Sequence, residues 1–224
     1  MEPTGLSQFW PYVFGAAGAE DPEVAATYSD LMAQRQMMIA QATKREVSLS
    51  GVTHLLDEGG GTGAFLGEAG AANRAMQMSL FDLPAVVGPA RERFARLGMA
   101  DRVEIIPGSF RDDPLPHGAD AISLVRVLYD HADATVEALL AQVYDALPPG
   151  GLVIVCVPMC GGARPERAGV VDGAVYSLAM MSGRARSAEE IAAFCAAAGF
   201  DSVHTTRAPR PYVTRVVTAR KPLS

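Results

Sequence analysis

A chain of 224 residues, 49% of them hydrophobic, is long enough for one well-cored α/β domain with a small appendage and too short for two full domains. Its formal net charge of −6, with no run of Lys or Arg, argues against nucleic acid as a main partner. The three cysteines, Cys156, Cys160 and Cys195, show no CxxC spacing, so a reducing compartment is expected, with each thiol a small buried hydrophobe.

The first residues, Met1 to Leu6, carry no basic segment or long apolar run, so no signal peptide is expected. No stretch is long and apolar enough to span a bilayer, which points to the cytoplasm. Phe9, Trp10, Tyr12 and Phe14 crowd one short segment. Packing onto the main domain is their expected role, and a peripheral membrane contact is the alternative. Residues 22–46 are predicted helical, with Pro22 in the first turn, Asp21 as cap, and Val24, Tyr28, Leu31, Met32 and Ile39 near helical spacing.

Beyond residue 50 strands and helices alternate. Strands are predicted at 53–56, 77–81, 103–106, 120–125, 152–157, 202–206 and 213–219, and helices at 64–73, 85–97, 134–147 and 187–198. Turn signals separate them, among them Asp82-Leu83-Pro84, Pro107-Gly108 and Pro148 to Gly151. Such alternation implies parallel βαβ units. The last two strands are too closely linked for a crossover helix, so they should pair antiparallel. The expected architecture is an α/β Rossmann-like sheet of the class I methyltransferase kind, mostly parallel with a C-terminal antiparallel hairpin, after a short helical segment. The expected division is an aromatic and helical segment at 1–49 and a cofactor-binding catalytic domain at 50–224.

The most informative stretch is Asp57-Glu58-Gly59-Gly60-Gly61-Thr62-Gly63 between the first strand and helix. Glycines let the backbone turn tightly against a ligand, and the helix N-terminus offers N–H groups to a carboxylate. Gly59, Gly61 and Ala64 fit the Ala-ended dinucleotide fingerprint. Two carboxylates ahead of the glycines would repel a pyrophosphate and attract an ammonium, which S-adenosylmethionine carries and NAD lacks.

Ligands of open α/β sheets sit at the carboxyl ends of the strands. Asp82 ends the second strand, 19 positions after Gly63, where an acid can accept ribose hydroxyls. After the third strand, Phe110 could stack on a purine and Ser109 meet its polar edge, or both could be core and turn residues. Arg126 near the end of the fourth strand could lie beside a purine or cap a carboxylate. In Tyr129-Asp130-His131, His131 is the natural general base for removing a hydroxyl proton, because imidazole titrates near neutrality. His54, His117 and His204 share no ligand spacing with it or with a Cys, so no metal is expected.

Together these residues resemble the plant-type O-methyltransferase family, which depends on S-adenosylmethionine. The matching motifs are Asp57 to Gly63, Asp82-Leu83-Pro84, Gly108-Ser109-Phe110 with Pro114-Leu115-Pro116, Pro148 to Gly151, and Gly183 to Phe200. Arg126 to His131, Pro158 to Pro165 and Met180 to Arg186 are similar to the bacterial carotenoid branch, the hydroxyneurosporene or demethylspheroidene O-methyltransferases. The resemblance implies transfer of a methyl group to the tertiary 1-hydroxyl of an acyclic carotenoid. It implies a cofactor site of Asp57, Gly59, Gly60, Gly61, Asp82, Leu83, Ser109, Phe110 and Arg126, with His131 or Tyr129 as base. Met32, Met159, Met180 and Met181 could line a pocket for a small apolar hydroxylated substrate.

The chain departs from the family pattern in four places. Tyr129 stands where the family has the His of His-Asp-Trp, and His131 where it has Trp. Val157 and Cys160 stand at Glu and Ser positions. Glu58 replaces an apolar residue. The family's N-terminal dimerisation domain is not expected within residues 1–49, so a homodimer is allowed rather than implied. Two other functions remain: a cofactor-binding fragment of weak or no activity, and an NAD(P)-dependent reductase.

Overall fold

The structure, a computed structural model, describes residues 36–161, 171, 174–175, 183–207 and 213–224. The first described element is a helix, α1 (36–46), the later part of the expected 22–46 helix. The aromatic cluster at 9–14 and the start of that helix lie outside the described residues. Then come β1 (His54–Glu58), α2 (Ala64–Ala72), β2 (Gln77–Asp82), α3 (Gly88–Arg96), β3 (Val103–Pro107), β4 (Ala121–Val125), α4 (Asp133–Ala146), β5 (Leu152–Val157), α5 (Ala188–Ala197), β6 (Asp201–Thr205) and β7 (Arg215–Arg220).

The seven strands form one sheet in the order β3-β2-β1-β4-β5-β7-β6. β1 to β5 run parallel, while β7 pairs antiparallel with both β5 and β6. The predicted late antiparallel pair is therefore present, with β7 inserted between β5 and β6. The central strands are buried along nearly their whole length, β5 at all of its positions, because helices cover both faces of the sheet. That is why their sequences are unbroken apolar runs. β6 at the edge is mostly exposed.

Alternation along each strand feeds two core layers. Leu56, Ile122, Leu124, Val153 and Val155 pack with Val136, Leu139, Leu140 and Val143 of α4 and Ile191 of α5. Leu55, Leu80, Ile154 and Cys156 pack with Phe65 and Leu66 of α2, Phe94 of α3, and Ile39 and Ala40 of α1. The chain leaves β1 toward β2 and β3, then returns to lay β4 on the other side of β1. The winding reverses between β1 and β4, and the ligand crevice of an open α/β sheet lies at that place, between the loops after those strands. Among the described residues no helix is long and apolar enough to cross a membrane.

Candidate active site

The loop after β1 holds Gly59, Gly61 and Gly63 at φ 66°, 56° and 74°, a region that residues with a Cβ enter only at a cost. At Gly63 space matters too, since a Cβ would drive into the Phe94 ring. At Gly59 a Cβ would stand 2.6 Å from Cγ2 of Val127, so the loop after β4 packs directly against the glycine backbone. Asp82 fastens the loop: its Oδ2 accepts the Gly61 N–H at 2.7 Å and its Oδ1 the Leu83 N–H at 2.7 Å. The acid expected to meet a ribose thus also holds the glycine turn, and each oxygen keeps a second lone pair.

Asp57 is 1% exposed and accepts the Ser123 hydroxyl at 2.6 Å. With Gln36, Ala40, Gly59 and Gly60 it lines a narrow cleft. Burial pushes its carboxyl up to about 7, against the pull of the Ser123 hydrogen bond. Burial, with Asp82 and Asp57 close by, lifts Glu58 well above the usual carboxylate range. Among the described residues its Oε2 has no hydrogen-bond partner, and neither has the buried Oγ1 of Thr62 in the same loop. The sequence suggested two fixed negative charges here. The fold corrects this: burial and the neighbouring acids favour the protonated form of Glu58, and Asp57 titrates near 7.

Across the crevice, Arg126 follows β4 at φ 65°, a strained conformation for a non-glycine residue and one that recurs at functional sites. Its N–H donates to the Cys156 carbonyl at 2.7 Å, and its Nη2 donates to the Tyr129 hydroxyl at 2.9 Å. Tyr129 sits in a short 3-10 turn, Leu128–Asp130, with its ring under the Arg126 guanidinium.

His131, 8% exposed, stacks edge-on to Phe110 with ring centroids 5.2 Å apart. Its Nδ1 lies 3.1 Å from Nη2 of Arg111. A guanidinium can only donate, so Nδ1 is the acceptor and a neutral ring carries its hydrogen on Nε2. Burial, then Arg111 and Arg186, drive its pKa down to about 4. His131 therefore lacks the near-neutral pKa expected of a general base.

Ser109 is a turn residue. Its Oγ accepts the Arg111 N–H and its own N–H donates to Asp113 Oδ2. Phe110 is half-buried against the core, its carbonyl held by Nε2 of Gln142 at 2.9 Å. Met159 is buried in the layer that contains Leu128 and Tyr129. Met32, Met180 and Met181 lie outside the described residues. Among the described residues no group of three or more His, Cys, Asp or Glu side chains could hold a metal ion.

Sequence reasoning passed over Arg111, Asp133 and Arg186. Arg186 is the largest fully buried side chain among the described residues. It closes the Met180 to Arg186 motif, which carried a resemblance but no role for this residue, and it stands just before Ser187 and Glu190, which form a capping box at the start of α5.

A parallel sheet closed by antiparallel strands, with a glycine loop and acids at the ends of β1 and β2, defines the class I methyltransferase fold. Within that class, a family model described as an O-methyltransferase domain matches residues 3–201, and the chain belongs to that family. It is 54% identical over 217 residues to a demethylspheroidene O-methyltransferase of Cereibacter sphaeroides, covering 97% of this chain and 57% of that protein. It is 49% identical over 216 residues to the demethylspheroidene O-methyltransferase of Rhodobacter capsulatus, covering 96% of this chain and 53% of that one. The chain thus spans little more than half the length of these relatives. A solved O-methyltransferase from neocarzinostatin biosynthesis, in complex with S-adenosylmethionine and 2-hydroxy-5-methyl naphthoic acid, superposes with a TM-score of 0.74 at 28% identity. That alignment covers 89% of this chain and 58% of the other.

Proposed function

We propose that this chain binds S-adenosyl-L-methionine and transfers its methyl group to a hydroxyl, the tertiary 1-hydroxyl of an acyclic carotenoid of the demethylspheroidene type. The observation that carries this reading is the 54% identity to a demethylspheroidene O-methyltransferase along nearly the whole chain.

The residues present fit the cofactor. A buried acid shares a cleft with backbone bare of Cβ atoms, where a Cβ on Gly60 would lie 3.0 Å from Asp57 Oδ2. Asp57 would hold the ammonium. The N–H groups of Gly59, Gly60, Gly61 and the first turn of α2 would face the carboxylate. The spare lone pairs of Asp82 would take ribose hydroxyls. Leu83, Phe110 and the turn that Ser109 shapes would bound the purine, with Arg126 at the inner rim. When bound, the cofactor supplies a methyl group already activated by its sulfonium.

The chain's own task is then to place the alcohol oxygen in line and manage its proton. Tyr129 is the residue assigned to orient the substrate hydroxyl, its own hydroxyl fixed by Arg126. His131 would take a proton at Nδ1 only if Arg111 withdrew; with Arg111 in place, the ring supports Phe110 instead. Met159, with Met32, Met180 and Met181, is assigned to the apolar body of the substrate. A polyene partitions into lipid, so the enzyme would work from the cytoplasm at a membrane surface.

The test is incubation with methyl-labelled S-adenosylmethionine and a panel of hydroxycarotenoids and phenols. Label should move into demethylspheroidene and co-migrate with its methyl ether. Label in phenols alone would place the substrate in another class.

A further inference from the structure

Arg186 lies in a stretch of chain that the cofactor assignment does not use, yet its side chain is only 1% exposed. A guanidinium has five N–H donors, and all five are used here. Nε donates to Asp133 Oδ1 at 3.0 Å. Nη1 donates to the carbonyls of Leu128 at 2.7 Å and Arg184 at 3.3 Å. Nη2 donates to the carbonyl of His131 at 2.8 Å and to Asp133 Oδ1 at 2.6 Å. The Phe194 ring of α5 lies beneath the group, 5.6 Å from its carbon.

These bonds converge on one place. Leu128 immediately precedes Tyr129 and His131 follows it by two, so the guanidinium grips the turn carrying Tyr129 from both sides. Gly183, at φ 73°, packs so tightly on this turn that a Cβ would drive into the Tyr129 carbonyl. The backbone of Arg186 meanwhile holds the chain leaving β5. Its carbonyl accepts the Cys160 N–H at 3.0 Å, and it bridges to Met159. Asp133 begins α4 and also takes Arg184, which in turn reaches Glu190 in the first turn of α5.

We infer that Arg186 is a positioning residue for methyl transfer: through the carbonyls of Leu128 and His131 it sets the turn presenting Tyr129, and through its backbone the segment presenting Met159. The inference rests on the proposed reading, in which Tyr129 meets the alcohol. An ammonium would not replace it, because three donors radiating from one nitrogen cannot span two carbonyls and a carboxylate held apart. Asp133 is half-exposed, so its ion pair alone would contribute little. The buried carbonyl bonds distinguish Arg186 from a surface arginine.

The test uses the full chain with Arg186→Lys, Arg186→Gln and, as a milder variant at the exposed end, Asp133→Asn. A displaced reacting group costs roughly 100-fold in rate per ångström, so Arg186→Gln should lower kcat by about that factor. Arg186→Lys should recover little of it, and Asp133→Asn should give a smaller loss in the same direction. The KM for the alcohol should rise, while affinity for S-adenosylhomocysteine stays within about twofold of wild type. Hydrogen exchange should quicken at amides 128–133 and leave β1, β4 and β5 protected. That readout needs no turnover, so it tests Arg186 even if the wild-type chain methylates no carotenoid. Turnover within about twofold of wild type in Arg186→Gln would overturn the inference. So would exchange quickening across the whole sheet, or a loss of cofactor affinity matching the loss of kcat.

Discussion

Asp57 and Asp82 are acids whose protonation the fold sets against the ligand proposed for them. Burial holds Asp57 up near 7, while an unfolded Asp titrates at 3.8. The free folded chain therefore binds more protons than the unfolded chain between those values. Its stability is fully present below 3.8 and is lost as the pH rises through 7. Asp82, raised to about 6, adds to the effect at slightly lower pH. Binding an ammonium works in the opposite sense, because it needs the carboxylate and expels the proton. Affinity for S-adenosylmethionine should climb as the pH rises through 7 and level off above it. Calorimetry near pH 6 in buffers of different ionisation enthalpy should register proton release. Asp57→Asn should weaken binding and flatten the profile. A binding constant that stayed level from about pH 5.5 to 8.5 would remove Asp57 as the ammonium's partner.

Tyr129 and His131 make a second contrast between residues. Removing a group that orients or relays a proton costs about 100-fold or more, so Tyr129→Phe should reduce kcat on that scale and spare cofactor affinity. Asn places an amide oxygen near the position of Nδ1, so His131→Asn can still accept from Arg111 and should keep most of the turnover. If His131→Asn instead lost as much as Tyr129→Phe, the ring would be the base. Asp57, Asp82 and His131 were all visible in the sequence, because acids after strands and a lone His past a glycine loop are local patterns. That Nδ1 faces Arg111 was not visible. The two residues are 20 positions apart on different loops, and meet where Phe110, the neighbour of Arg111 in the chain, stacks on the His131 ring.

At the scale of elements, strand positions were legible because two-sided burial writes continuous apolar runs such as Leu152–Val157, and Gly and Pro punctuate them. The Arg186 clamp was not, since it joins Leu128 to a residue 58 positions away and leaves no periodic trace. The glycine loop lies between these cases. Its composition announces a turn, yet the reason differs at each glycine. Gly61 needs a left-handed backbone, and among the described residues a Cβ there would meet only Gln36 at 3.7 Å. Gly61→Ala should therefore lose only the backbone preference, roughly 1–2 kcal/mol. Gly63 needs the same backbone, and in addition the Phe94 ring fills the space of a Cβ. Overpacking adds roughly 1–3 kcal/mol, so Gly63→Ala should be clearly the less stable variant in urea unfolding. Equal midpoints would mean that Phe94 yields without cost.

For the whole molecule, the reversal of winding between β1 and β4 puts the glycine loop and the Tyr129 turn after adjacent strands, where an open α/β sheet forms its ligand crevice. A ligand that spans it ties together the two core layers, so its binding should register as global stability. S-adenosylhomocysteine retains the ammonium and the adenosine, the groups assigned to Asp57 and Asp82. At about 100 times its dissociation constant it should add about 2.7 kcal/mol. For a domain of this size, 1 kcal/mol moves Tm by about 2–4 °C, so a rise of roughly 5–10 °C is expected. NADH shares the adenosine but brings a pyrophosphate to a loop that contains Asp57 and Glu58. It should leave Tm nearly unmoved, and less stabilised still at pH 8, where Asp57 has given up its proton. The difference between the two ligands should shrink in Asp57→Asn, because the variant removes what attracts one and repels the other. A shift by NADH equal to that of S-adenosylhomocysteine would show that the crevice selects adenosine alone, and the acid before the glycines would lose its part in choosing the cofactor.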